Sequence, residues 1–551
     1  MPPSPHAAEL RAWAALAGTG AGGLAVSTLP DVITLVFVGR LGVTPLASVS
    51  LAALYAWGVA EVVSVGLSLG HGALAAQAAG ARQYTAVFGW SALLLCASLA
   101  AAAVLLAPVF ATGGALITAC GFAGIDGALA ADFLLWSMPA LAILPLLEAA
   151  DAHLTAIQRL PPVLASDITY CAVDVLASWL LILGADAGGG VRVGGLGVRG
   201  AALANVLSAA VSTVVAGVAI AWFAMPPPPS AGDEEEEAEV GDGGEEAAEA
   251  EDVEAAAVQP SLAEPLLVAA AAPRKSAAGS DAAAALAAHE RAVAQVTAHA
   301  VLHFVTDPKN LRVFAVQSGS AVASMALEIA SETVISFIAA SQGGTAAAVS
   351  NSLGEVYSLA STVIFGAFQA TSVRVGYALG GRRPAAARRV GVIAGAAVAV
   401  WVAAFSAALL ASRRVLGYAF SGDGDVVAGV DALVPYFCAH YASFSAYVHI
   451  ASILDGQGRA HLYPLVSVLV VAVQLPLAFA SAHYTTWGLP GLWCASAVGF
   501  AAGAAAAAVL VARSDWRALV DLAVLRSRAD DGEAAAGGRH GSGDAVLERK
   551  T

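Results

Sequence analysis

Long apolar runs, separated by short polar loops, recur along the chain from residue 12 to residue 512. An apolar run of about 18 or more residues is long enough for a helix to cross a bilayer. The pattern predicts an all-α polytopic membrane protein with twelve transmembrane helices, at about residues 12–38, 46–76, 84–107, 128–152, 163–184 and 198–223, then 313–340, 345–372, 390–411, 430–452, 463–482 and 487–511.

Three short motifs occur once in each half of the chain. The pairs are Gln77–Arg82 with Arg374–Arg382, Gln158–Pro162 with Gly458–Pro464, and Gly197–Ala204 with Gly488–Ala495. A repeat of this kind predicts two structurally similar halves. Because six spans is an even number, both halves start on the same side of the membrane, and the two six-helix repeats are parallel. Many secondary transporters are built from such repeats, with the substrate site between them.

A polar segment of low complexity separates the two halves. Four prolines in Met225–Pro229 end the sixth span, because proline lacks the backbone donor that a helix needs. Thirteen acidic residues and no Lys or Arg follow between Asp233 and Glu254. We predict a cytoplasmic N-terminus at 1–11, an N-lobe at 12–223, an acidic cytoplasmic linker at 224–312 with a short amphipathic helix at 282–305, a C-lobe at 313–512, and a disordered cytoplasmic tail at 513–551.

The composition excludes a soluble helical protein. The chain is 58% hydrophobic and 12% charged, whereas soluble domains carry about 25% charged residues and need a polar face on each surface helix. The formal charge of −15 comes mostly from the acidic linker, and no nucleic-acid partner is expected. Five cysteines show neither disulfide nor zinc spacing, so no metal site is predicted.

Arginine is more frequent in the loops after the even-numbered spans. These loops carry Arg82, Arg159, Arg382, Arg383, Arg388, Arg389 and Arg459, against Arg40, Arg192, Arg199, Arg413 and Arg414 in the opposite loops. The positive-inside rule therefore predicts that both termini and the linker are cytoplasmic.

Ionisable groups inside the spans are few, and each is costly unless it is functional or paired. They are Asp31, Glu61, Glu148, Asp151 and Asp174 in the first half, and Glu328, Glu332, Glu355, Asp431, His440 and His449 in the second. A carboxylate that binds a proton on one side of the membrane and a cation on the other provides the minimum chemistry of antiport.

Some of these acids have a simpler interpretation. Glu61, Asp151 and Asp431 are each expected to reach water near a helix end. Glu332 lies one turn from Glu328 and is either a second member of a site or a helix–helix hydrogen-bonding group. Asp31 follows Pro30, where the helix can kink.

No nucleotide loop, metal cluster or Ser/His/Asp arrangement stands out, so neither an enzyme nor a cofactor is predicted, apart from H⁺ or Na⁺ as coupling ion.

Five motifs in order resemble those of the multidrug and toxic compound extrusion (MATE) family, within the MOP flippase superfamily. They are Val38–Gly42 with Leu46-Ala47, Gln77–Ala81, Ser372–Gly376 with Leu379-Gly380, Leu454–Gly458, and Gly491–Trp493. The resemblance implies two six-helix bundles in a V around a cavity that opens alternately to each side. It also implies export of organic cations or other amphipathic compounds, xenobiotics or metabolites, in exchange for H⁺ or Na⁺.

The resemblance also implies roles for particular residues. Glu328 and Glu355 have the 27-residue spacing of two functional glutamates of eukaryotic members, and Asp174 resembles the N-lobe aspartate of prokaryotic members. Together with Glu332 and Asp31, these are the expected proton or cation sites. Expected cavity-lining residues are Asn205, Gln77, Tyr170 and Tyr357.

The chain also departs from the family pattern. The tryptophans of the seventh span are absent, the second acid, Glu332, stands one position early, and the acid of the tenth span would fall near Phe444. Substrate and coupling ion therefore stay open. So do a lipid or polysaccharide flippase and a non-transporting scaffold as alternatives. We expect a monomer in the plasma membrane or in a vacuolar or other organelle membrane, acting on small organic cations.

Overall fold

The computed structural model describes residues 5–120, 125–186, 192–193, 195–223, 293, 296–420 and 423–527. The acidic tract of the linker and residues 528–551 of the tail lie outside these ranges, so their predicted properties stay predictions.

The first half consists of long helices joined by short turns. These are α1 (Pro5–Gly39), α2 (Val43–Gly80), α3 (Tyr84–Ala101), α4 (Ala107–Cys120), α5 (Gly127–Ser137), α6 (Ala140–Ala156), α7 (Leu160–Ser178) and α8 (Val198–Phe223). A π-helical turn, Ala102–Leu106, joins α3 to α4 in one continuous span, and α5 and α6 meet at a 49° bend. The N-terminal segment predicted at 1–11 is already helical from Pro5.

The second half repeats this pattern after a short additional helix. Its helices are α9 (Ala298–Thr306), α10 (Pro308–Ser341), α11 (Gly344–Gly380), α12 (Pro384–Leu416), α13 (Gly424–Gly456), α14 (Tyr463–Tyr484), α15 (Gly488–Ala512) and α16 (Trp516–Ser527). Asp307 caps α10 by accepting a hydrogen bond from the Lys309 amide, so this span starts five residues earlier than predicted. Of the predicted 282–305 helix, residues 293 and 296–305 are described, and α9 begins only at Ala298, with Thr297 as its N-cap.

Among the described residues, ten helical spans are long and apolar enough to cross a membrane, and the bent pair α5–α6 makes an eleventh. α13, a 33-residue helix, occupies the remaining predicted position. The all-α prediction is confirmed, apart from two strands of two residues, β1 (Ala185–Asp186) and β2 (Arg192–Val193), which pair antiparallel.

The turns of the two halves match in backbone geometry. Positive φ angles occur at equivalent positions about 300 residues apart, in the pairs Arg82 and Arg382 (58° and 58°), Gln158 and Gly458 (61° and 67°), Gly42 and Gly343 (130° and 118°), and Gly197 and Gly488 (60° and 52°). A left-handed residue at the same point of each turn is strong evidence for a repeat, because non-glycine residues rarely adopt it. The halves are therefore parallel repeats, as the motifs predict.

The two lobes meet at one end of the molecule, here called the closed end, where the α2–α3, α6–α7, α11–α12 and α13–α14 turns lie. Gly80 of α2 packs on the Tyr377 carbonyl, and Gly380 of α11 packs on the Gln77 carbonyl, so that a Cβ at either glycine would overlap backbone. Gly366 of α11 lies equally close to the backbone of α1. Small residues allow these helices to approach each other closely.

Towards the opposite, open end the buried clusters belong to single lobes. One cluster joins residues of α1 to α8 only, around Phe110 and Leu134, and another joins α10, α14 and α15 around Leu492. The lobes therefore form a V whose cleft faces away from the closed end. The positive-inside prediction assigns the closed end to the cytoplasm.

The prediction of a disordered tail from residue 513 is wrong for the segment that forms α16. Trp516, Leu519, Val520 and Ala523 follow the i, i+3, i+4, i+7 pattern of an amphipathic helix and are buried against Leu379 and neighbouring residues of the C-lobe. The short length of this apolar stripe explains why the segment resembles a polar tail in the sequence.

Candidate functional site

Glu328 lies inside the C-lobe and is held by hydroxyl groups from two other helices. Tyr447 of α13 donates a hydrogen bond to Glu328 Oε1 at 2.6 Å, and Ser467 of α14 donates to the same oxygen at 2.8 Å. The two hydroxyls also lie 3.2 Å from each other. Three helices thus converge on one carboxylate.

Glu332 extends this arrangement by one helical turn. The Tyr357 hydroxyl of α11 lies 3.5 Å from Glu332 Oε1, and the Tyr357 ring packs against His440 and Phe444. The Tyr357 contact joins α10 to α11, as the helix–helix interpretation of Glu332 predicts, and a role of Glu332 in a functional site stays a prediction. We call Glu328, Glu332, Tyr357, Tyr447 and Ser467 the C-lobe polar cluster.

An aromatic wall closes one side of the cluster. Phe444, 3% exposed, occupies the position where the resemblance expects an acid, and its ring packs edge-on against Phe500 at 5.3 Å. His440 lies in the same wall, against Tyr357 and Trp493. The cluster therefore has two carboxylates rather than three.

Glu355 is not part of this cluster. Its side chain is exposed, whereas Glu328 and Glu332 are half-buried. Glu355 lies 11 residues, or about three helical turns, from Gly366, which packs on α1. Both residues therefore share one face of α11, and Glu355 faces the cleft above the point where the lobes meet. Glu328 and Glu355, 27 residues apart, lie on the neighbouring helices α10 and α11. Among the described contacts, the hydroxyls that hold Glu328 are those of Tyr447 and Ser467, and Glu355 is not joined to them.

Asp174 forms the corresponding site of the N-lobe. It is 2% exposed, and it accepts hydrogen bonds from Thr34 of α1 at 3.1 Å, Ser208 of α8 at 3.3 Å and Ser178 at 3.4 Å. Thr34 and Ser178 lie 2.8 Å apart. We call these four residues the N-lobe polar cluster.

Two predicted cavity residues lie one turn from the N-lobe polar cluster. Asn205 Nδ2 donates a hydrogen bond to the Tyr170 hydroxyl at 2.7 Å, while the Asn205 Oδ1 atom is buried without a partner in the described part of the chain. Both side chains are half-buried, which is compatible with the predicted lining of a cavity.

Other predicted residues lie elsewhere. Gln77 is 1% exposed and donates a hydrogen bond to the Gly456 carbonyl at 2.9 Å, so it joins the lobes at the closed end and does not line a cavity in this conformation. Asp431 pairs with Arg413 at 3.1 Å, and Glu61 is exposed. The side chain of Asp31 lies outside the described residues.

Sequence reasoning missed the hydroxyl partners and one further acid. Tyrosine, serine and threonine occur at many positions in the spans. Only the packing of the helices shows that Tyr447, Ser467 and Thr34 are the ones that face a carboxylate. Asp167 of α7 was also missed; its carboxylate packs against Gly23 of α1.

The two clusters have the same chemistry, a carboxylate that accepts hydrogen bonds from hydroxyl groups. Hydroxyl groups solvate a carboxylate without neutralising it, and in the described residues neither Glu328 nor Asp174 contacts a basic side chain. Each site can therefore take up a proton or another small cation. The described residues contain no group of three or more metal-ligating side chains.

Known proteins match part of this sequence. A family model described as MatE matches residues 320–480. Protein DETOXIFICATION 4 of Arabidopsis thaliana is 32% identical over 156 residues, which are 28% of this chain and 32% of that protein. Multidrug and toxin extrusion protein 1 of Homo sapiens is 30% identical over 125 residues, 22% of each protein. The matched segments therefore span about a third or less of these relatives.

Solved structures match over nearly the whole chain. The crystal structure of the eukaryotic MATE transporter AtDTX14 has a TM-score of 0.66 at 17% identity, covering 95% of this chain and 100% of that one. A mutant of the Vibrio cholerae MATE transporter VcmN has a TM-score of 0.71 at 14% identity, covering 94% and 100%. The chain is therefore similar in sequence to MATE transporters over part of its length, and the solved structures show that it has their twelve-helix fold, as an integral multi-pass membrane protein.

Proposed function

We propose that this protein is a secondary active antiporter that exports organic cations or other amphipathic compounds in exchange for H⁺, or for Na⁺, by alternating access. The observation that carries the proposal is the Glu328 carboxylate, which lies in the C-lobe among hydroxyl donors and has no basic partner among the residues that the structure describes. Burying a charge is costly, so such a group favours either protonation or the presence of a cation.

The two lobes supply different parts of the proposed cycle. In the conformation described here the cleft is open on the side away from the closed end, so the C-lobe polar cluster can exchange a proton with that side. Proton uptake by Glu328 removes the charge that attracts a cationic substrate and releases the substrate into the cleft. Glu332 shares Tyr357 with the same cluster and supports this exchange.

Glu355 and Asp174 have separate roles in the proposal. Glu355 faces the cleft, where an exposed carboxylate attracts organic cations to the entrance of the site. Asp174 in the N-lobe polar cluster is the alternative site for a proton or Na⁺, because three hydroxyls can complete the coordination of a small cation as well as donate to a carboxylate.

The relatives favour export of small molecules over the alternatives. The names of matched proteins refer to detoxification and to multidrug and toxin extrusion. A flippase for phosphate-bearing lipids needs basic groups near its cavity, whereas both polar clusters here contain carboxylates and hydroxyls. A scaffold acting through the acidic linker would lose its function on deletion of residues 230–285, but an antiporter would keep its flux.

The test is transport of a fluorescent organic cation in proteoliposomes with an imposed pH gradient. We expect Glu328→Gln to reduce gradient-driven flux at least about tenfold, which corresponds to about 1.4 kcal/mol. Glu61→Gln is the matched control, because Glu61 is exposed and lies away from the face of α2 that carries Gly66 and Gly70, which pack on α10.

Three outcomes are distinguishable. Loss of flux only in Glu328→Gln supports proton-coupled antiport through the C-lobe polar cluster. Equal flux in all variants removes Glu328 from the mechanism, and Asp174→Asn then becomes the decisive variant. No flux in folded wild-type protein, with a sodium gradient also applied, overturns the proposed substrate class.

A further inference from the structure

Arg526, near the end of α16, is a buried cation that the proposed transport mechanism does not use. It is 8% exposed, and its Nη1 atom donates a hydrogen bond to the Gly458 carbonyl at 2.9 Å. Its Nε atom is buried without a partner in the part of the chain that the structure describes. Burial lowers the pKa of Arg526 to about 10, so the side chain is still protonated at neutral pH.

The carbonyl that Arg526 contacts belongs to a turn where the lobes join. We call Gly456–Gly458 the junction turn. The Gly456 carbonyl accepts a hydrogen bond from Gln77 of the N-lobe at 2.9 Å. The Gln317 amide of α10, oriented so that both of its groups are satisfied, donates to the Gly458 carbonyl at 3.1 Å. The junction turn therefore connects the N-lobe, the C-lobe and α16.

The position of Gly458 leaves no space for a side chain. Its φ angle is 67°, and a Cβ there would overlap Arg526 and lie 3.0 Å from Gln77 Nε2. Arg526 and Gln77 thus approach the same turn from two sides, one from the C-terminal helix and one from the opposite lobe.

The rest of α16 is anchored to the C-lobe. Trp516 and Leu519 are buried against Val390 and other residues of α11 and α12, and the Arg388 guanidinium lies 5.6 Å above the Trp516 ring. α16 also contacts α2 of the N-lobe. Because the helix is anchored, Arg526 holds the junction turn at a fixed place at the closed end.

We propose that Arg526 is a positioning residue which, by fixing the junction turn for the Gln77 contact, stabilises the conformation in which the closed end is shut. The inference rests on alternating access as proposed above. Opening the closed end requires Gln77 to leave the Gly456 carbonyl. That step becomes easier when the turn is free to move, so loss of Arg526 shifts the population towards the conformation with a narrow cleft at the open end.

The test measures that population directly, without substrate or an ion gradient. Spin labels are introduced by Leu41→Cys in the N-lobe and Ser341→Cys in the C-lobe, in a background without the five native cysteines. Both positions are exposed near the open end. We expect wild type to give mainly the long distance of the open cleft, and Arg526→Gln to raise the short-distance population at least about fivefold.

Matched variants distinguish a positioning role from general damage. Arg517→Gln removes an exposed arginine from the same helix and should leave the distances unchanged. Arg526→Lys keeps the charge and one donor and should restore most of the wild-type distribution. Gln77→Ala should shift the population in the same direction as Arg526→Gln, and the double variant should shift it less than the sum of the two, because both act through one turn.

The proposal is overturned by unchanged distances in Arg526→Gln with a wild-type melting temperature, or by fully additive shifts in the double variant. If Arg526→Gln does not fold, Arg526→Met, which keeps the length of the buried side chain without its charge or its donors, replaces it alone and in the double variant with Gln77→Ala, under the same additivity criterion. Since no transport is measured, a failure of the antiport proposal, seen as absent flux, is separate from a failure of this one.

Discussion

Hydroxyl groups hold the Glu328 and Asp174 carboxylates, and no basic side chain contacts either one within the described part of the chain. Glu328 accepts from Tyr447 and Ser467, and Asp174 accepts from Thr34 and its neighbours. An arginine partner would neutralise the carboxylate in every step of a cycle. A hydroxyl partner donates to the charged form and still leaves the charge available to a proton or a cation.

The shortest of these contacts gives a prediction for Tyr447. We expect Tyr447→Phe to reduce gradient-driven flux about tenfold or more, because a hydrogen bond to a charged group contributes about 1.5–3 kcal/mol. The ring remains and still packs on Phe500, so the protein should fold. Initial rates in proteoliposomes measure the effect.

Tyr441→Phe is the control on the same helix. Its hydroxyl donates to the Ala360 carbonyl at 3.0 Å, and no carboxylate of the described residues contacts it. Flux within about twofold of wild type is expected for this variant. Equal losses in both variants would show that removing any buried hydroxyl from α13 impairs transport, and would contradict a specific role for Tyr447.

At this scale the sequence predicts the acids better than their partners. Glu328, Glu332 and Asp174 are recognisable because a carboxylate in an apolar run needs an explanation. Ser467 and Thr34 are not, since serine and threonine occur throughout the spans and commonly bond to their own helix. The spacing of Glu328 and Glu355 likewise could not show that one faces the lobe interior and the other the cleft.

The crossing of α2 and α11 is the element contact on which the closed end depends. Gly80 and Gly380 occupy equivalent places in the repeats, and each packs on a backbone carbonyl of the other helix. A Cβ at either position would lie about 2 Å from that carbonyl oxygen (2.0 Å for Gly80 and 1.9 Å for Gly380), so glycine is needed at both positions for the helices to cross this closely.

A pair of glycine substitutions in α2 tests this crossing. Gly80→Ala should lower the melting temperature in detergent and reduce flux, because its Cβ would overlap the Tyr377 carbonyl. Gly72→Ala is the matched control, since no atom lies within 4 Å of its Cβ position. That variant should be as stable as wild type or up to about 1 kcal/mol more stable. A stable, active Gly80→Ala protein would contradict the close crossing.

A second contact at the closed end is an ion pair between α1 and α11. Arg374 pairs with Glu9 and donates a hydrogen bond to its Oε2 atom at 2.7 Å. Arg374 also donates to the Gln158 side chain at 3.2 Å. The side chains of Arg374 and Glu9 are 19% and 17% exposed. We expect Glu9→Gln to lower the melting temperature. The charge exchange Glu9→Arg with Arg374→Glu should recover at least half of that loss. If the exchanged protein is less stable than both single variants, the pair does not act as a direct contact.

The elements themselves are largely predictable from hydropathy, with instructive exceptions. Most spans agree with prediction to within several residues because length and apolar content determine them, but the third, predicted to end at residue 107, continues to Cys120. α16 was missed because it has only four apolar positions in its stripe, and its stability comes from the C-lobe surface that covers it. The bend between α5 and α6 leaves no comparable signal in the hydropathy pattern.

The arrangement of the two lobes follows from the sequence repeat. Sequence motifs about 300 residues apart form turns of matching geometry, and these turns meet at the closed end. There the Gln77 carbonyl of the first repeat packs on Gly380, and the Tyr377 carbonyl of the second repeat packs on Gly80. The motif pairs predict parallel lobes, but not which ends touch. That depends on glycine positions whose packing partners lie in the other half of the chain. The contacts at a single end leave the lobes free to separate there while closing at the other.

Alternating access therefore predicts that a covalent link across the closed end stops transport. Ala76 of α2 and Gly376 of α11 lie opposite each other, with 3.3 Å between the Ala76 Cβ and the Cβ position of Gly376, which is close to the Cβ separation of disulfides. In a background without native cysteines, the double variant Ala76→Cys and Gly376→Cys should lose flux on oxidation and regain it on reduction. Each single variant should be unaffected by the oxidant. If the fully oxidised protein transports as fast as the same protein after chemical reduction, the closed end need not open. The rocking of two lobes would then not describe the cycle.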